Sequence, residues 1–127
     1  MSFVEMSCNR TRSTVVYEVK RASESGGWTA LDFPGVELKV LHTDASTGAT
    51  VVLTRLAPGA TIPRHRHTAA DETVYVIEGD FIEDGESFGC GSFFAGRAGT
   101  DHGPHTSTNG CIVLTCFSAP LDFVLAD

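Results

Sequence analysis

The stretch Gly59–Gly79, GATIPRHRHTAADETVYVIEG, carries the pattern that decides the fold of this chain. His65 and His67 stand two residues apart within it. On a β-strand alternate side chains point to the same face, so the two imidazoles are expected to face the same way. Pro63 suits the start of such a strand because proline has no N–H to donate to a neighbouring strand. The pattern therefore predicts a strand that presents two histidines to one side.

Glu72 opens the apolar run that follows this histidine pair. Val74 and Val76 lie on the same face of the predicted strand, so an inward Glu72 goes together with two inward valines. Thr68–Asp71 then forms a short connection between the two strands. Asp71 is the neighbouring carboxylate and the alternative to Glu72. The arrangement is expected to bring one carboxylate close to both imidazoles.

A third histidine comes from a second segment, Gly91–His105, with the sequence GSFFAGRAGTDHGPH. Arg97–Asp101 is typical of a glycine-containing turn. His102 follows that turn, so an adjacent strand can bring its imidazole to the same cavity. His105 is an alternative ligand to His102, or else it lines the cavity entrance.

Together, His65, His67, Glu72 and His102 make a mixed nitrogen and oxygen donor set for one divalent metal ion. Such a set suits Fe²⁺, Mn²⁺, Ni²⁺, Cu²⁺ or Zn²⁺, and the sequence does not choose among them. Four protein ligands leave open positions on an octahedral ion, where a small-molecule substrate or dioxygen can bind.

The rest of the chain consists of short runs rich in β-branched and aromatic residues, separated by Gly, Pro, Asp and Asn. No long segment shows the apolar spacing of a helix. Many short strands with closely spaced turns predict an all-β sandwich or barrel, with a hairpin turn at Asp84–Gly85. The predicted strands are Thr14–Lys20, Val36–His42, Ala49–Leu56, Thr73–Ile77, Phe81–Glu83, Ser92–Ala95, Gly110–Phe117 and Leu121–Leu125.

Composition and charge exclude several classes of function. A length of 127 residues fits one domain, expected to span residues 1–127. The net charge of −7 argues against binding to nucleic acid or to anionic membranes, both of which need basic patches. Met1–Arg12 lacks the apolar run of a signal peptide, and no stretch reaches the ~20 apolar residues of a transmembrane helix. The four cysteines form no CxxC pair and are expected to be reduced, which favours a cytoplasmic location.

The spacing of the first segment resembles the first cupin motif, G-x5-H-x-H-x3-4-E-x6-G. Gly59, His65, His67, Glu72 and Gly79 occupy its fixed positions. Counting back from the last glycine selects the glutamate over the aspartate before it. The resemblance therefore assigns the first three ligands.

The second segment resembles the second cupin motif, G-x5-P-x-G-x2-H-x3-N. Gly91, Gly99 and His102 match, whereas Arg97 replaces the proline and Thr106 replaces the asparagine. Those two positions are structural in the family, so the ligand assignment is kept and favours His102 as the fourth ligand. From Trp28 to about Phe117 the chain is similar to ChrR-type cupins in particular. The shared features include Phe33–Val36 (FPGV), Leu56–Gly59 (LAPG), Gly79–Phe81 (GDF) and His102–Pro104 (HGP).

This resemblance implies a cupin double-stranded β-helix, or jelly-roll barrel, with its metal core at about residues 28–117. Similar stand-alone cupins include acetylacetone-cleaving and dihydroxyacetophenone dioxygenases. The resemblance thus implies a mononuclear metal-dependent dioxygenase that cleaves a small enolisable or phenolic carbonyl compound. In such a reaction Glu72 would stay on the metal or leave it to act as the catalytic base.

Three other functions remain open: a sensing or small-ligand-binding module, an isomerase, and a purely structural dimerising barrel. ChrR-type domains form the end of some anti-sigma factors, behind a helical zinc-binding domain. Residues 1–27 lack the cysteine and histidine set of that domain, so sigma-factor binding is not expected. Small cupins commonly dimerise, and the expected assembly is a homodimer.

Other residues near the predicted site lie outside the proposed ligand set. Arg55 lies in an apolar strand and either sits on the surface or reaches an anionic ligand. Tyr75, Phe93 and Phe94 are expected in the core, since large aromatic side chains dominate core packing.

Overall fold

The computed structural model describes residues 16–127, and within that range the chain is built from strands and contains no helix. This agrees with the predicted all-β class. The strands, in chain order, are β1 Thr29–Ala30, β2 Val36–Thr43, β3 Thr50–Leu56, β4 Thr61–Ile62, β5 His65–Arg66, β6 Glu72–Gly79, β7 Phe81–Glu83, β8 Glu86–Phe88, β9 Phe93–Gly96, β10 His105–Thr106, β11 Cys111–Phe117 and β12 Val124–Leu125.

The strands form three antiparallel sheets, and the connections between sheets place the histidines. A six-stranded sheet has the order β1-β2-β3-β11-β6-β9, a four-stranded sheet the order β4-β10-β7-β8, and a third sheet pairs β12 with β5. Strands distant in sequence are neighbours, as β3, β11 and β6 show. Such crossed connections are those of a jelly roll.

The six-stranded sheet buries alternate residues against the smaller sheets, as a strand period of two requires. In β3 Val52, Thr54 and Leu56 are buried, while the residues between them are half-buried. In β6 the buried residues are Val74 and Val76, on the face of Glu72 as predicted. The main core cluster is made of Val36, Leu56, Ala60, Ile62, Val74, Val76, Phe81, Cys111 and Val113.

Two predicted turns form with the expected backbone. Asp84 and Gly85 both have positive φ, at 48° and 85°, and join β7 to β8 as a two-residue hairpin loop. The turn near Arg97 forms although the motif's proline is missing. The Arg97 carbonyl accepts hydrogen bonds from the Thr100 hydroxyl at 2.6 Å and, more weakly, from its N–H at 3.3 Å. Gly99 supplies the positive φ of 80° that this turn needs.

Two predicted strands are wrong in part. Residues 16–20 of the predicted strand Thr14–Lys20 form no strand, and residues 14 and 15 lie outside the described range. Val16 and Tyr17 are exposed, so these side chains do not pack on a sheet. The predicted strand Leu121–Leu125 is reduced to Val124–Leu125, because the residues before it turn towards the histidine pair.

Residues 16–27 instead follow the outer face of β2 as an extended segment. The Arg21 guanidinium donates to the Leu41 carbonyl at 3.0 Å, and the Lys39 ammonium donates to the Glu24 carbonyl at 2.7 Å. The predicted loop Glu24–Gly27 thus carries no strand but is fastened to the barrel. Among the described residues, no helix has the length and apolarity needed to cross a membrane.

Candidate metal centre

His65 and His102 are placed opposite each other by the main chain. The His65 N–H donates to the His102 carbonyl at 2.9 Å, and the His102 N–H donates to the His65 carbonyl at 2.8 Å. This isolated antiparallel bridge joins two segments 37 residues apart in sequence. Their Nε2 atoms lie 3.0 Å apart. The bridge therefore sets the distance between two imidazoles through the backbone rather than through side-chain rotamers alone.

The other ring nitrogen of both His65 and His67 is held by a main-chain carbonyl. His65 Nδ1 is 2.7 Å from the Pro63 oxygen, and His67 Nδ1 is 2.6 Å from the Asp122 oxygen. A carbonyl only accepts, so Nδ1 carries the proton and Nε2 carries a lone pair. Metal-binding histidines show this outer contact, which fixes the tautomer and the ring orientation.

His67 Nε2 is buried and has no hydrogen-bond partner. A buried, unpaired polar atom costs free energy, so native proteins rarely keep one without a ligand or a function. The lone pair on this nitrogen faces Glu72, whose Oε2 is 3.6 Å away. A cation bound between these groups would satisfy the lone pair.

Glu72 completes the cluster from the start of β6, with its Oε1 2.9 Å from His102 Nε2. Two ligand atoms at right angles around an ion, each about 2.1 Å from it, lie about 3.0 Å apart. The 2.9 and 3.0 Å separations around His102 match that spacing. His67, Glu72 and His102 thus form a His/Glu cluster whose ligand atoms all lie within 4.8 Å of one another and which is able to hold a metal ion, and His65 adjoins this cluster through His102.

His105 lies beside the cluster but is oriented differently. Its Nδ1 is 2.5 Å from Glu83 Oε2, and its ring stacks on the His102 ring with centroids 5.3 Å apart. His65, His102 and His105 form a second group whose ligand atoms lie within 4.8 Å of one another. Sequence reasoning missed Glu83, because only the cross-strand pairing of β7 with β10 places it there.

Two cavities adjoin the cluster. The inner cavity lies inside the barrel, encloses about 40 Å³, and has walls that include Ile62, Val113, Phe117 and Phe123. That volume holds a few water molecules. The side cavity, about 140 Å³, is bordered by Glu72, Phe81, Glu83, Phe94, His102 and His105. Each cavity has four ionisable groups in its wall: His65, His67, Glu72 and His105 border the inner cavity, and Glu72, Glu83, His102 and His105 border the side cavity.

Several neighbouring side chains lie outside the cluster. Arg55 is on the outer face of the sheet, where it forms an ion pair with Glu37 at 2.8 Å and stacks on Trp28 at 4.0 Å. The surface alternative for Arg55 is therefore the one observed. The expected core positions of Tyr75 and Phe93 are wrong, since both are exposed. They occupy outward positions of β6 and β9.

The environment separates the charges within the cluster. Burial lowers the pKa of His65 to about 4, with a further contribution from the nearby imidazoles. Burial also disfavours the charged form of His67, but Glu72 and the Asp122 carbonyl outweigh it and raise its pKa. Burial opposes ionisation of Glu72, yet the contacts with His102 and His67 hold its pKa well below the usual range. At neutral pH the cluster therefore combines an anionic carboxylate with a neutral His65.

These shifts predict a stability change with pH in the metal-free protein. Between pH 6.5 and about 4 the unfolded chain protonates His65 and the folded chain does not, so stability falls as pH falls. One such proton changes the free energy of unfolding by up to ~1.4 kcal/mol per pH unit. His67 does not add to this fall, because its pKa is shifted in the opposite direction. Urea denaturation across this range should show that the unfolding free energy of His65→Gln depends less steeply on pH than that of the wild type. Equal slopes would contradict the lowered pKa of His65.

The architecture and the cluster together define a cupin. The sequence matches the ChrR cupin-like domain family over residues 17–120, so the chain belongs to that family. No curated protein matches the sequence. The chain is similar in structure to an acetylacetone dioxygenase from Acinetobacter johnsonii, with 15% identity, a TM-score of 0.73, and coverage of 89% of this chain and 82% of that chain.

Two further solved structures show the range of proteins that share this fold. KdgF from Halomonas sp. has 25% identity and a TM-score of 0.64, covering 75% of this chain and 87% of that chain. ChrR from Rhodobacter sphaeroides, solved in complex with SigE, has 25% identity and a TM-score of 0.61, covering 72% of this chain and 48% of that chain. Because one fold hosts many functions, these similarities identify the architecture rather than the reaction.

Proposed function

We propose that this protein binds one divalent metal ion through His65, His67, Glu72 and His102. The observation that carries the proposal is the buried, unpaired Nε2 of His67, facing a carboxylate and close to two further imidazoles. The donor set suits Fe²⁺, Mn²⁺, Ni²⁺, Cu²⁺ or Zn²⁺. Carbonyl contacts at two of the three histidines place the proton on Nδ1, which leaves Nε2 as the ring nitrogen available to a metal.

We further propose a dioxygenase activity on a small enolisable or phenolic carbonyl compound. When bound, the ion would act as a Lewis acid that lowers the pKa of the substrate's enol. The side cavity supports a small substrate because it is enclosed partly by Phe81 and Phe94 and reaches His102 and Glu72. These apolar walls exclude water from the reacting group, which strengthens the electrostatic interactions inside the site.

Glu72 is the proposed proton acceptor of this reaction. Its carboxylate is ionised at neutral pH and borders both cavities. It can therefore accept a proton from the carbon next to a substrate carbonyl, provided that the substrate lies within hydrogen-bond reach. His65 would not compete for that proton, because as a metal ligand it would have its ring lone pair on the ion.

An oxygen electrode tests the proposed reaction. Full-length protein loaded with Fe²⁺, Mn²⁺ or Ni²⁺ is expected to consume dioxygen with at least one compound from a panel of diketones and hydroxyaryl ketones. At equal metal content, Glu72→Gln should turn the same compound over at least about 100-fold more slowly, since general base catalysis contributes about 10²–10⁴-fold. Metal-loaded protein that takes up no dioxygen with any compound would contradict the dioxygenase proposal.

A sensing or ligand-binding module is the second candidate, together with a cupin isomerase. The family match and the similarity to ChrR, solved with SigE, support a sensing role. A small molecule that binds at the metal without dioxygen uptake would favour this class. Conversion of that molecule to an isomer, followed by NMR, would separate the isomerase from the sensor.

We also propose a homodimer in the cytoplasm. An apolar row crosses the outer face of the six-stranded sheet, because Leu53, Leu114, Tyr75 and Phe93 are successive cross-strand neighbours. A second copy could cover this row. The free thiols of Cys90, Cys111 and Cys116 support a reducing compartment. A monomeric mass in sedimentation equilibrium would contradict the dimer.

A further inference from the structure

Glu83 and His105 form a close carboxylate–imidazole pair that the proposed ligand set does not use. The two residues are directly opposite in the pairing of β7 with β10. The carboxylate is held at both oxygens, since Oε1 accepts the Gly103 N–H at 3.0 Å and Oε2 lies 2.5 Å from His105 Nδ1. Contact with His105 lowers the pKa of Glu83 despite its partial burial. The pair is therefore an ionised carboxylate that fixes one edge of an imidazole.

This contact determines which nitrogen His105 can offer to a ligand. Because a carboxylate only accepts hydrogen bonds, the close contact of Nδ1 with Glu83 favours the tautomer that has its proton on Nδ1 and its lone pair on Nε2. The ring also packs against two others: the Phe81 centroid is 5.0 Å away at an interplanar angle of 30°, and the His102 centroid is 5.3 Å away at 25°. Its orientation is thus fixed before any ligand arrives.

His105 borders both the inner and the side cavity. Two carboxylates, those of Glu72 and Glu83, also border the side cavity. Their charge favours ligand groups that donate hydrogen bonds and disfavours a second carboxylate on the ligand. The wall beside the metal cluster is therefore rich in acceptors.

We propose that Glu83 and His105 act as a recognition dyad, in which His105 Nε2 accepts a hydrogen bond from an O–H or N–H donor adjacent to the metal-bound oxygen of the ligand. His105 is then the specificity-determining residue, and Glu83 is the positioning residue that holds it. The ligands selected are hydroxyketones, enols and phenols rather than dicarboxylic acids. This inference rests on the proposed metal function, because the metal fixes the ligand oxygen next to His105.

A matched pair of small chelators tests the dyad without relying on turnover. Acetohydroxamic acid and N-methylacetohydroxamic acid both bind divalent metals through two oxygens, and only the first has an N–H donor. Each is titrated into the Co²⁺-loaded full chain, and its dissociation constant is read from the visible cobalt spectrum. The wild type is expected to bind acetohydroxamic acid about tenfold more tightly, the value of one hydrogen bond in a partly buried site.

Substitutions in the dyad should change this preference rather than overall binding. His105→Leu should bind both chelators with nearly equal affinity, while His105→Gln should restore much of the preference because its amide oxygen is an acceptor. Glu83→Gln should give an intermediate preference, since glutamine has an acceptor oxygen at only one of the two positions that face the Gly103 N–H and His105 Nδ1. If the dyad had only a structural role, its substitutions would weaken the binding of both chelators equally and leave the ratio of the two dissociation constants unchanged.

The outcomes separate this inference from the proposed metal function. Equal affinities in the wild type, or a preference that survives His105→Leu, would overturn the dyad while leaving the metal site intact. A loss of bound Co²⁺ in His105→Leu would make His105 a metal ligand and would also overturn the dyad. A wild type that binds no Co²⁺ would refute the metal function and, with it, the inference.

Discussion

Replacing His65 with alanine is expected to abolish stoichiometric metal binding. His65 is 2% exposed, and its Nε2 lies 3.0 Å from that of His102. Removing it takes away one of the four proposed donors. Loss of even an outer contact costs about 10–100-fold in metal affinity, so loss of a ligand should cost at least about 100-fold. Metal content after dialysis, measured by elemental mass spectrometry, checks this result.

His42→Ala is the matched control for the histidine substitution. His42 lies near the end of β2, is half-buried, and belongs to neither of the groups that could hold an ion. It should retain the full metal content of the wild type. His102→Ala should behave like His65→Ala, because both rings come from the same backbone bridge. Unchanged metal content in His65→Ala would refute the ligand assignment, and a circular dichroism spectrum of each variant establishes that it is folded.

The second large effect is expected from Gly79→Ala at the end of β6. Gly79 has a φ of +83°, and a Cβ there would lie 2.0 Å from the Gly110 oxygen and 2.7 Å from the Cys111 Cα. Both contacts are with main chain of the adjoining strand region, which cannot rotate away. The variant should lose more than about 4 kcal/mol of unfolding free energy, a size reserved for severe packing faults.

Gly59→Ala is the control, because it has nearly the same backbone but open surroundings. Its φ is +82°, and an added Cβ would meet no atom within 4 Å. Only the left-handed conformation is penalised there, at roughly 1–2 kcal/mol. Urea denaturation of both variants measures the difference, and equal losses would show that the contact with Gly110 is not the cause. The two glycines of one motif are therefore needed for different reasons: Gly59 for its backbone conformation alone, and Gly79 also for the close approach of main-chain atoms.

The sequence alone predicts the strand content and the group of four side chains because both depend on local spacing. His65 and His67 share a face because alternate residues of a strand point the same way. The motif glycines indicate where the chain turns. The role of Glu83 could not be predicted, since it depends on which strands pair, and β7 and β10 are separated by two other strands in sequence. The same holds for Asp122, whose backbone carbonyl contacts His67 from 55 residues away. A carbonyl leaves no trace in side-chain patterns.

The region around Asp122 has a practical consequence for handling the protein. Asp122 makes two hydrogen bonds at the edge of the site: its main-chain carbonyl contacts His67 Nδ1, and its side chain accepts the Thr68 N–H. The pairing of β12 with β5 lies next to these contacts. An affinity tag or a protease cleavage close to this segment would disturb the contact that orients the His67 imidazole. Affinity tags for metal studies therefore belong at the other end of the chain, where the described residues have no contact with the cluster.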